Sequence, residues 1–478
     1  MIHAPLFASA VAEKVGPLDV PWEVYAERSR RFEIQLSGSR VEMTRGPLRL
    51  EGYGIRVLTE VDDQTGVGFQ ASTDVSERGI RAAAEDARSV AKFNRFPAHR
   101  PELPLESGGP EHSPRIVDSA LWSHPAASLA QEADALLGAC DALRLPAPTF
   151  ATIKATLVET SIANSRGLAA SYAHTAVERE IAVKADGGPE GRPAGEFWFE
   201  ETGRRIHLEG LTEKVASWYR LAEDARRGSS PSVGESTVVL PPEVLSGILP
   251  YVLSFQFGGS AQFRGMGVAR DTVVGTPQLE ITDNGLLDWA VGSSPFDDEG
   301  TPQRVRRLIS EGKAGETLTD VLHANALKNA VTGNASRTTG FSLGGDYWRK
   351  FVRRPAPDAS TIVVASGSGG NDAEVIEQVD DGVWVQQLGW ANPDSVAGTF
   401  GGEIRIGYRI RRGKLAEPVR GGTVGGAVLT RDGRPSMLNG IQAVGSVARY
   451  AGDLLSPTLV VRNLVISGEQ SVTGASPT

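Results

Sequence analysis

The sequence predicts an α+β fold with two unlike halves, and three observations carry that prediction. The first third mixes runs of strict apolar–polar alternation with runs of helical period. Beyond residue 235 the pattern changes to short strands set between glycines. Glycine itself is in excess, with 55 in 478 residues, against a usual share of about 7%. The break between the halves falls in the run Gly228-Ser229-Ser230-Pro231-Ser232-Val233-Gly234, whose composition is that of a linker. The expected division is therefore an N-terminal domain over 1–228, a linker over 229–235, a C-terminal domain over 236–470 and a disordered tail over 471–478.

The elements follow in order. Residues 31–42 alternate around Ser37-Gly38, as a hairpin does, and 52–59 and 66–71 read as further strands. Residues 77–94 switch to helical period, with Ile80, Ala84, Ala87 and Ala91 on one face. Residues 97–125 are proline-rich and loop-like and hold His99, His112 and His124, which read as solvated. A second amphipathic helix spans 126–143, with Cys140 on its apolar stripe as a small buried hydrophobe. Strands at 152–160 and 169–184 are joined by Asn164-Ser165-Arg166-Gly167, which is turn chemistry, and a helix covers 211–227. In the second half helices are expected at 242–257 and 317–329, and strands at 361–365, 383–388, 403–411 and 459–467.

Composition excludes several function classes. A single cysteine makes no internal disulfide and no multi-cysteine zinc site. The net charge of −9 argues against a phosphate-backbone binder, so no nucleic-acid partner is expected. The most apolar stretch, 244–257, is broken by Gly247 and Pro250 and is too short to span a bilayer. Ala8-Ser9-Ala10 resembles a cleavage triplet but lacks a basic region before it. The expectation is a cytoplasmic protein with no membrane partner and no cofactor.

Candidate chemistry is sparse. No two of the seven histidines lie within ten residues of each other, so no local His-Glu-His helix motif exists. Gly340-Phe341-Ser342-Leu343-Gly344 has the spacing of a nucleophile elbow, but no histidine follows it. Gly367-Ser368-Gly369-Gly370 lacks the lysine and spacing of a phosphate loop, although Asn371-Asp372-Ala373-Glu374 can start a helix. Asp297-Asp298-Glu299 sets three carboxylates side by side. They suit a hard cation or acid–base work; the structural alternative is one turn cap and two solvated acids. Residues 409–414 are a basic run alternating into a turn, an exposed hairpin.

Several segments, in order and at their separations, resemble the TldD/PmbA family. They are Phe32-Glu33-Ile34, Asn164-Ser165-Arg166-Gly167, Ser294-Pro295-Phe296-Asp297-Asp298-Glu299-Gly300-Thr301-Pro302 and Thr332-Gly333-Asn334. They continue with Asp381-Gly382-Val383-Trp384-Val385, Gly398-Thr399-Phe400, Tyr408-Arg409-Ile410 and Pro418-Val419-Arg420-Gly421-Gly422-Thr423. The resemblance implies an N-terminal α+β domain with an antiparallel sheet and flanking helices. It also implies a C-terminal domain dominated by antiparallel β, barrel- or sandwich-like, with a few helices. The family, once described as modulators of DNA gyrase, is regarded as peptidase components. TldD-like members carry a His-Glu-x-x-x-His helix and a late cysteine ligand; PmbA/TldE-like members lack them and pair with a TldD-like subunit. The positions corresponding to the motif here are Pro250, Tyr251 and Phe255, none of which ligates zinc as imidazole does, and Pro250 is expected to kink the helix. No cysteine lies beyond 140.

The resemblance thus implies the PmbA/TldE-like branch, with no metal and no catalytic residue carried over. The first functional reading is a non-catalytic subunit of a heteromeric metallopeptidase, shaping a chamber for an unfolded peptide. Its partner would be a TldD-like zinc peptidase subunit, with a homodimer in that partner's absence left open. The alternative is a diverged stand-alone enzyme acting on a small molecule or peptide. Cleft candidates are Asp297, Asp298, Glu299, His323 and Asn334.

Overall fold

The computed structural model describes residues 7–105, 112–185, 195–337 and 350–468. The G-x-S-x-G segment and the expected tail at 471–478 lie outside these residues. The N-terminal part opens with helix α1 (Phe7–Val15), followed by strands β1 (Trp22–Ser37), β2 (Arg40–Val61) and β3 (Gln64–Ser72). Helix α2 (Glu77–Ala91), the short strand β4 (Arg95–Phe96) and helices α3 (Ser119–Ser123) and α4 (Pro125–Ala142) come next. Strands β5 (Phe150–Asn164), β6 (Ala169–Ala185) and β7 (Gly195–Gly203) and helix α5 (Leu211–Arg227) complete it. The strands form one antiparallel sheet in the order β4-β3-β2-β1-β5-β6-β7.

Hairpin β1–β2 turns over Gly38 at φ 59°, where a side chain would be strained. Alternation along β1 sends Val24 and Ala26 to one face, where with Tyr53, Ile55 and Val57 of β2 they bury α1 and α2. The Ala8-Ser9-Ala10 triplet lies in α1, and Ala8 is fully buried there. Ser76 caps α2 by accepting from the Gly79 amide at 3.1 Å. Further along the sheet α4 and α5 pack on β5, β6 and β7, with Cys140 buried in that core. Helix α3 falls inside the stretch expected as loop, because Asp118 accepts from the Ala120 and Leu121 amides and starts it.

The C-terminal part begins with β8 (Gly234–Leu240), whose first residues lie inside the expected linker. Strand β8 pairs in parallel with Asp381–Leu388 and antiparallel with Leu459–Ser467. Leu459–Ser467 pairs with Thr423–Ala427, that with Thr399–Arg411, and Thr399–Arg411 returns to Asp381–Leu388. The five strands close a barrel, which removes two exposed sheet edges. A six-stranded sheet lies beside it, in the order Lys313–Ala314, Val305–Ser310, Ile281–Asn284, Ile362–Val364, Leu454–Ser456 and Arg449–Ala451. One apolar core, including Val238, Val252, Leu253, Phe257, Ile281, Ile362 and Ile404, joins both. The basic run turns between Thr399–Arg411 and Lys414–Val419 as the expected hairpin.

Two expected helices differ. The stretch 242–257 is divided into α6 (Pro242–Leu245) and α7 (Leu249–Phe257), followed by α8 (Gly259–Phe263). Pro250 therefore does not kink a continuous helix. It sits in the first turn of α7, where an amide donor has no helical partner to lose. The stretch expected at 317–329 is helical only over Val321–Leu327. Leu318 instead bonds to the Phe257 carbonyl at 2.9 Å, and Lys328 ends the helix at φ 56°.

The C-terminal part lies on the polar face of the N-terminal sheet. The Phe351 ring sits over Gly52, where a Cβ would come within 2.3 Å of it, and the Phe351 carbonyl oxygen is 2.5 Å from a Cβ at Gly54. Two neighbouring glycines on β2 are what let this backbone approach. Ile406 packs into the α4–α5 core, and the Tyr408 hydroxyl donates to Asp224 at 2.7 Å.

Candidate functional site

On α7 the residues at 250, 251, 254 and 255 share one side of the helix and are half-buried, while Val252, Leu253 and Phe257 are buried in the core. This puts Pro250, Tyr251 and Phe255 on the accessible stripe. Proline and phenylalanine offer no metal donor, and burial, with Asp453 and Asp358 adding, pushes the Tyr251 phenol up and keeps it protonated. Among the described residues no group of three His, Cys, Asp or Glu side chains is placed to hold a metal ion. The donor set here does not fit zinc, which takes thiolate, imidazole and carboxylate ligands.

The acidic turn is buried, not solvated as its structural alternative supposed. Asp297, Asp298 and Glu299 are at most 4% exposed. Asp297 accepts the amides of Glu299, Thr301 and Ala335 at 3.0, 2.9 and 3.0 Å. Asp298 accepts the Arg337 amide at 2.7 Å and faces the Lys350 ammonium at 3.4 Å. Glu299 accepts the Val321 amide at 2.8 Å and pairs with Arg56 of β2 at 2.6 Å. Arg56 also holds Glu23 of β1 at 2.7 Å, and Glu23 holds Arg337 at 2.6 Å. The result is a chain Arg337–Glu23–Arg56–Glu299 with every side chain at most 1% exposed. It ties the sheet face to the acidic turn and the start of the Val321–Leu327 helix. The described hydrogen bonds and ion pairs of these three acids hold the turn to residues 335–337, to the Val321–Leu327 helix and to the sheet face.

His323 lies on the helix whose first amide Glu299 accepts. Its Nδ1 is 2.7 Å from Asp320 and its Nε2 3.2 Å from the Ser260 hydroxyl, and its ring packs edge-on against Phe96 and Phe263. Asn334 reaches the other way. Its amide donates to Asp283 at 2.6 Å and to the Asp358 carbonyl at 3.1 Å, while Asp358 accepts from Ser254 of α7. The structure therefore links Asn334 to the α7 stripe through Asp358, while His323 contacts Ser260 of α8 and the acidic turn binds Ala335 and the sheet face.

Sequence reasoning missed Glu23, Tyr25 and Glu27, which share the sheet face under the C-terminal part, and the carboxylates Asp283, Asp358 and Asp453. One signal for the former existed: acidic and aromatic residues alternate with Val24 and Ala26 along β1, so that both faces are covered. Asp283, Asp358 and Asp453 are separated by dozens of residues and carry no local signature.

Burial raises several of these carboxyls, Glu27 to about 8, Glu299 to about 7, and Asp283, Asp358 and Asp453 to about 6. A raised carboxyl holds its proton in the folded chain at a pH where the unfolded chain has lost it. Stability therefore falls as pH rises from the unfolded value near 4 through the folded one. His174, lowered by burial, acts oppositely below its unfolded value of about 6.5. The expected outcome is a loss of about 1–3 kcal/mol between pH 6.5 and 8.5. Denaturant titrations at the two pH values check it, and equal or greater stability at the higher pH contradicts it.

Two family models match the chain. One, described as the PmbA/TldA metallopeptidase C-terminal domain, covers residues 233–468, and one described as PmbA/TldA metallopeptidase domain 1 covers 22–91. A metalloprotease TldD homolog of Haemophilus influenzae is 27% identical over 154 residues, 32% of this chain and 30% of that protein. A zinc metalloprotease TldD homolog of Saccharolobus solfataricus is 27% identical over 237 residues, 49% of each. The match to these curated relatives thus spans about half of their length or less. The crystal structure of TldE from Thermococcus kodakarensis superposes with a TM-score of 0.76 at 16% identity, over 97% of this chain and all of that one, a likeness of fold. No helix among the described residues is long and apolar enough to cross a membrane. With both domain models matched in order, the chain belongs to the TldD/PmbA family of metallopeptidase-like proteins.

Proposed function

We propose that the chain is a PmbA/TldE-like, non-catalytic subunit of a heteromeric TldD/TldE-type metallopeptidase, in which it shapes the chamber holding an unfolded peptide. One observation carries the reading. The family scaffold is present, yet α7 presents Pro250, Tyr251 and Phe255 on its accessible stripe instead of metal donors. A peptidase that activates water on zinc needs open coordination at a donor set of this kind. The partner is a TldD-like zinc subunit, and the division into domains near residue 230 is part of the same reading.

The test is cleavage of an unfolded protein substrate by the purified chain, by a TldD-like partner encoded in the same genome, and by the two together. The expected result is cleavage by the pair and none by this chain alone. Cleavage by this chain alone, abolished by neither chelator nor omission of the partner, supports the stand-alone enzyme instead.

A further inference from the structure

Ser260, His323 and Asp320 are joined in series where α8 meets the Val321–Leu327 helix. Asp320 caps that helix by accepting the His323 amide at 2.7 Å, and the same oxygen lies 2.7 Å from His323 Nδ1. His323 Nε2 is 3.2 Å from the Ser260 hydroxyl. A carboxylate oxygen only accepts, so Nδ1 carries the proton of the neutral ring. Nε2 then keeps its lone pair and accepts from Ser260. Exposure rises along the series. Asp320 is fully buried, the His323 side chain is 13% exposed and Ser260 is partly exposed.

Helix capping accounts for the bond from Asp320 to the His323 amide. It does not call for an imidazole that spans Asp320 and a hydroxyl on a different helix. Gly259 is what lets the two helices come this close. A Cβ there would lie 3.0 Å from the His323 Cβ and 3.1 Å from the Leu318 carbonyl oxygen. Apolar surface stands beside the imidazole. The rings of Phe96 and Phe263 are 5.5 Å apart and both meet His323 edge-on, and Phe263 is 40% exposed.

We propose that Ser260 is an acyl-accepting nucleophile, with His323 as its base, Asp320 positioning the ring, and an apolar ester as substrate. The Ser260 oxygen bonds to the acyl carbon while its proton passes to His323 Nε2. The bond from that carbon to the leaving oxygen breaks, and the leaving group takes the proton from Nε2. Water then attacks the acyl-serine, giving its proton to Nε2. The Ser260 oxygen departs with that proton and the carboxylic acid is released. The three side chains supply nucleophile, base and orienting carboxylate and leave the oxyanion to solvent. The substrate is therefore an ester whose leaving group is itself a stable anion. An amine leaves far less readily than a phenolate, so no peptide cleavage by this chain alone is implied. The inference goes beyond the subunit reading and does not rest on it.

The test is reaction of the full chain with p-nitrophenyl acetate, folded and unfolded in urea, with the acetylated residue located by peptide mass spectrometry. The expected result is a burst of about one p-nitrophenolate per folded chain, with the acetyl group on Ser260. Ser260→Ala is expected to abolish the burst, and His323→Gln to slow it at least about a hundredfold. Asp320→Asn keeps a capping side chain. It is expected to lower the maximal acylation rate at least about tenfold, with the ester concentration for half-maximal rate unchanged. Ser89→Ala, at an exposed position of α2, is expected to change nothing.

Absence of acetyl from Ser260 overturns the proposal, as does its appearance there equally fast in the unfolded chain. So does an unchanged rate in His323→Gln, an unchanged maximal rate in Asp320→Asn, or an equal loss in Ser89→Ala. The site and folding dependence of acylation are read on the unmodified protein, so they decide the matter even where a variant misfolds. The ester assay needs neither zinc nor the partner, so the failure of this site and the failure of the subunit reading are distinguishable.

Discussion

Glu23→Ala is expected to cost about 3–5 kcal/mol of stability. Glu23 is fully buried and its two oxygens each hold a different guanidinium, Arg56 at 2.7 Å and Arg337 at 2.6 Å. Burial alone disfavours both charges. In Arg56 the combined pull of Glu23 and Glu299 outweighs it and holds the charge, whereas in Arg337 burial prevails and lowers the pKa despite Glu23. Arg337 has Glu23 as its ion-pair partner and the Tyr25 ring 4.6 Å from its guanidinium carbon. Removing Glu23 leaves that charge buried without its ion-pair carboxylate, which is the expensive way to break a buried pair. Glu51→Ala is the control. Glu51 pairs with Arg28 where both side chains are more than a third exposed, and its loss is expected to cost less than about 1 kcal/mol. Denaturant unfolding of the three proteins checks the contrast, and similar midpoints for both variants contradict it.

Phe351→Ala is the second large effect, about 3–5 kcal/mol. The ring is 3% exposed and is seated on the bare backbone of Gly52, so no side chain is present to fill the space it would leave. The residue before it links the same segment to the sheet, through the Lys350 amide to Glu27 at 3.0 Å and the Lys350 ammonium to Asp298. Loss of the ring is therefore expected to loosen the junction between the sheet face and the C-terminal part. The measurement is the unfolding midpoint together with hydrogen exchange over residues 52–54. A midpoint within about 1 kcal/mol of the parent, with unchanged exchange, contradicts the packing described.

What the sequence made legible is what is periodic over short range. The helix at Leu211–Arg227 and the hairpin from β5 to β6 follow from spacing and turn residues, and the barrel strands Asp381–Leu388, Thr399–Arg411 and Leu459–Ser467 follow from glycine punctuation, whereas Gly234–Leu240 and Thr423–Ala427 were not expected. The break between α6 and α7 did not, because Val244 to Phe257 is apolar enough to pass for one buried helix. Its division is set by Gly247 and by Pro250 in the first turn of α7. The site was legible only in fragments. That one of the three acids caps a turn was recognisable, but Glu299 to Arg56 is a pairing across 243 positions and Arg337 to Glu23 across 314. Such partners leave no periodic trace, so three adjacent acids look solvated until the guanidinium that neutralises one of them is seen. Asn334 was marked through its family motif, and its role in holding Asp283 and Asp358 beside α7 came from the fold.

The central claim is that a metallopeptidase-like scaffold here lacks the donors for the family's metal. Its most direct test is the zinc content of the purified chain, measured by elemental analysis after equilibration with zinc and removal of loose metal. The account predicts far less than one zinc per chain, and no change on Tyr251→Phe. Retention of about one zinc per chain that stabilises the fold would contradict it.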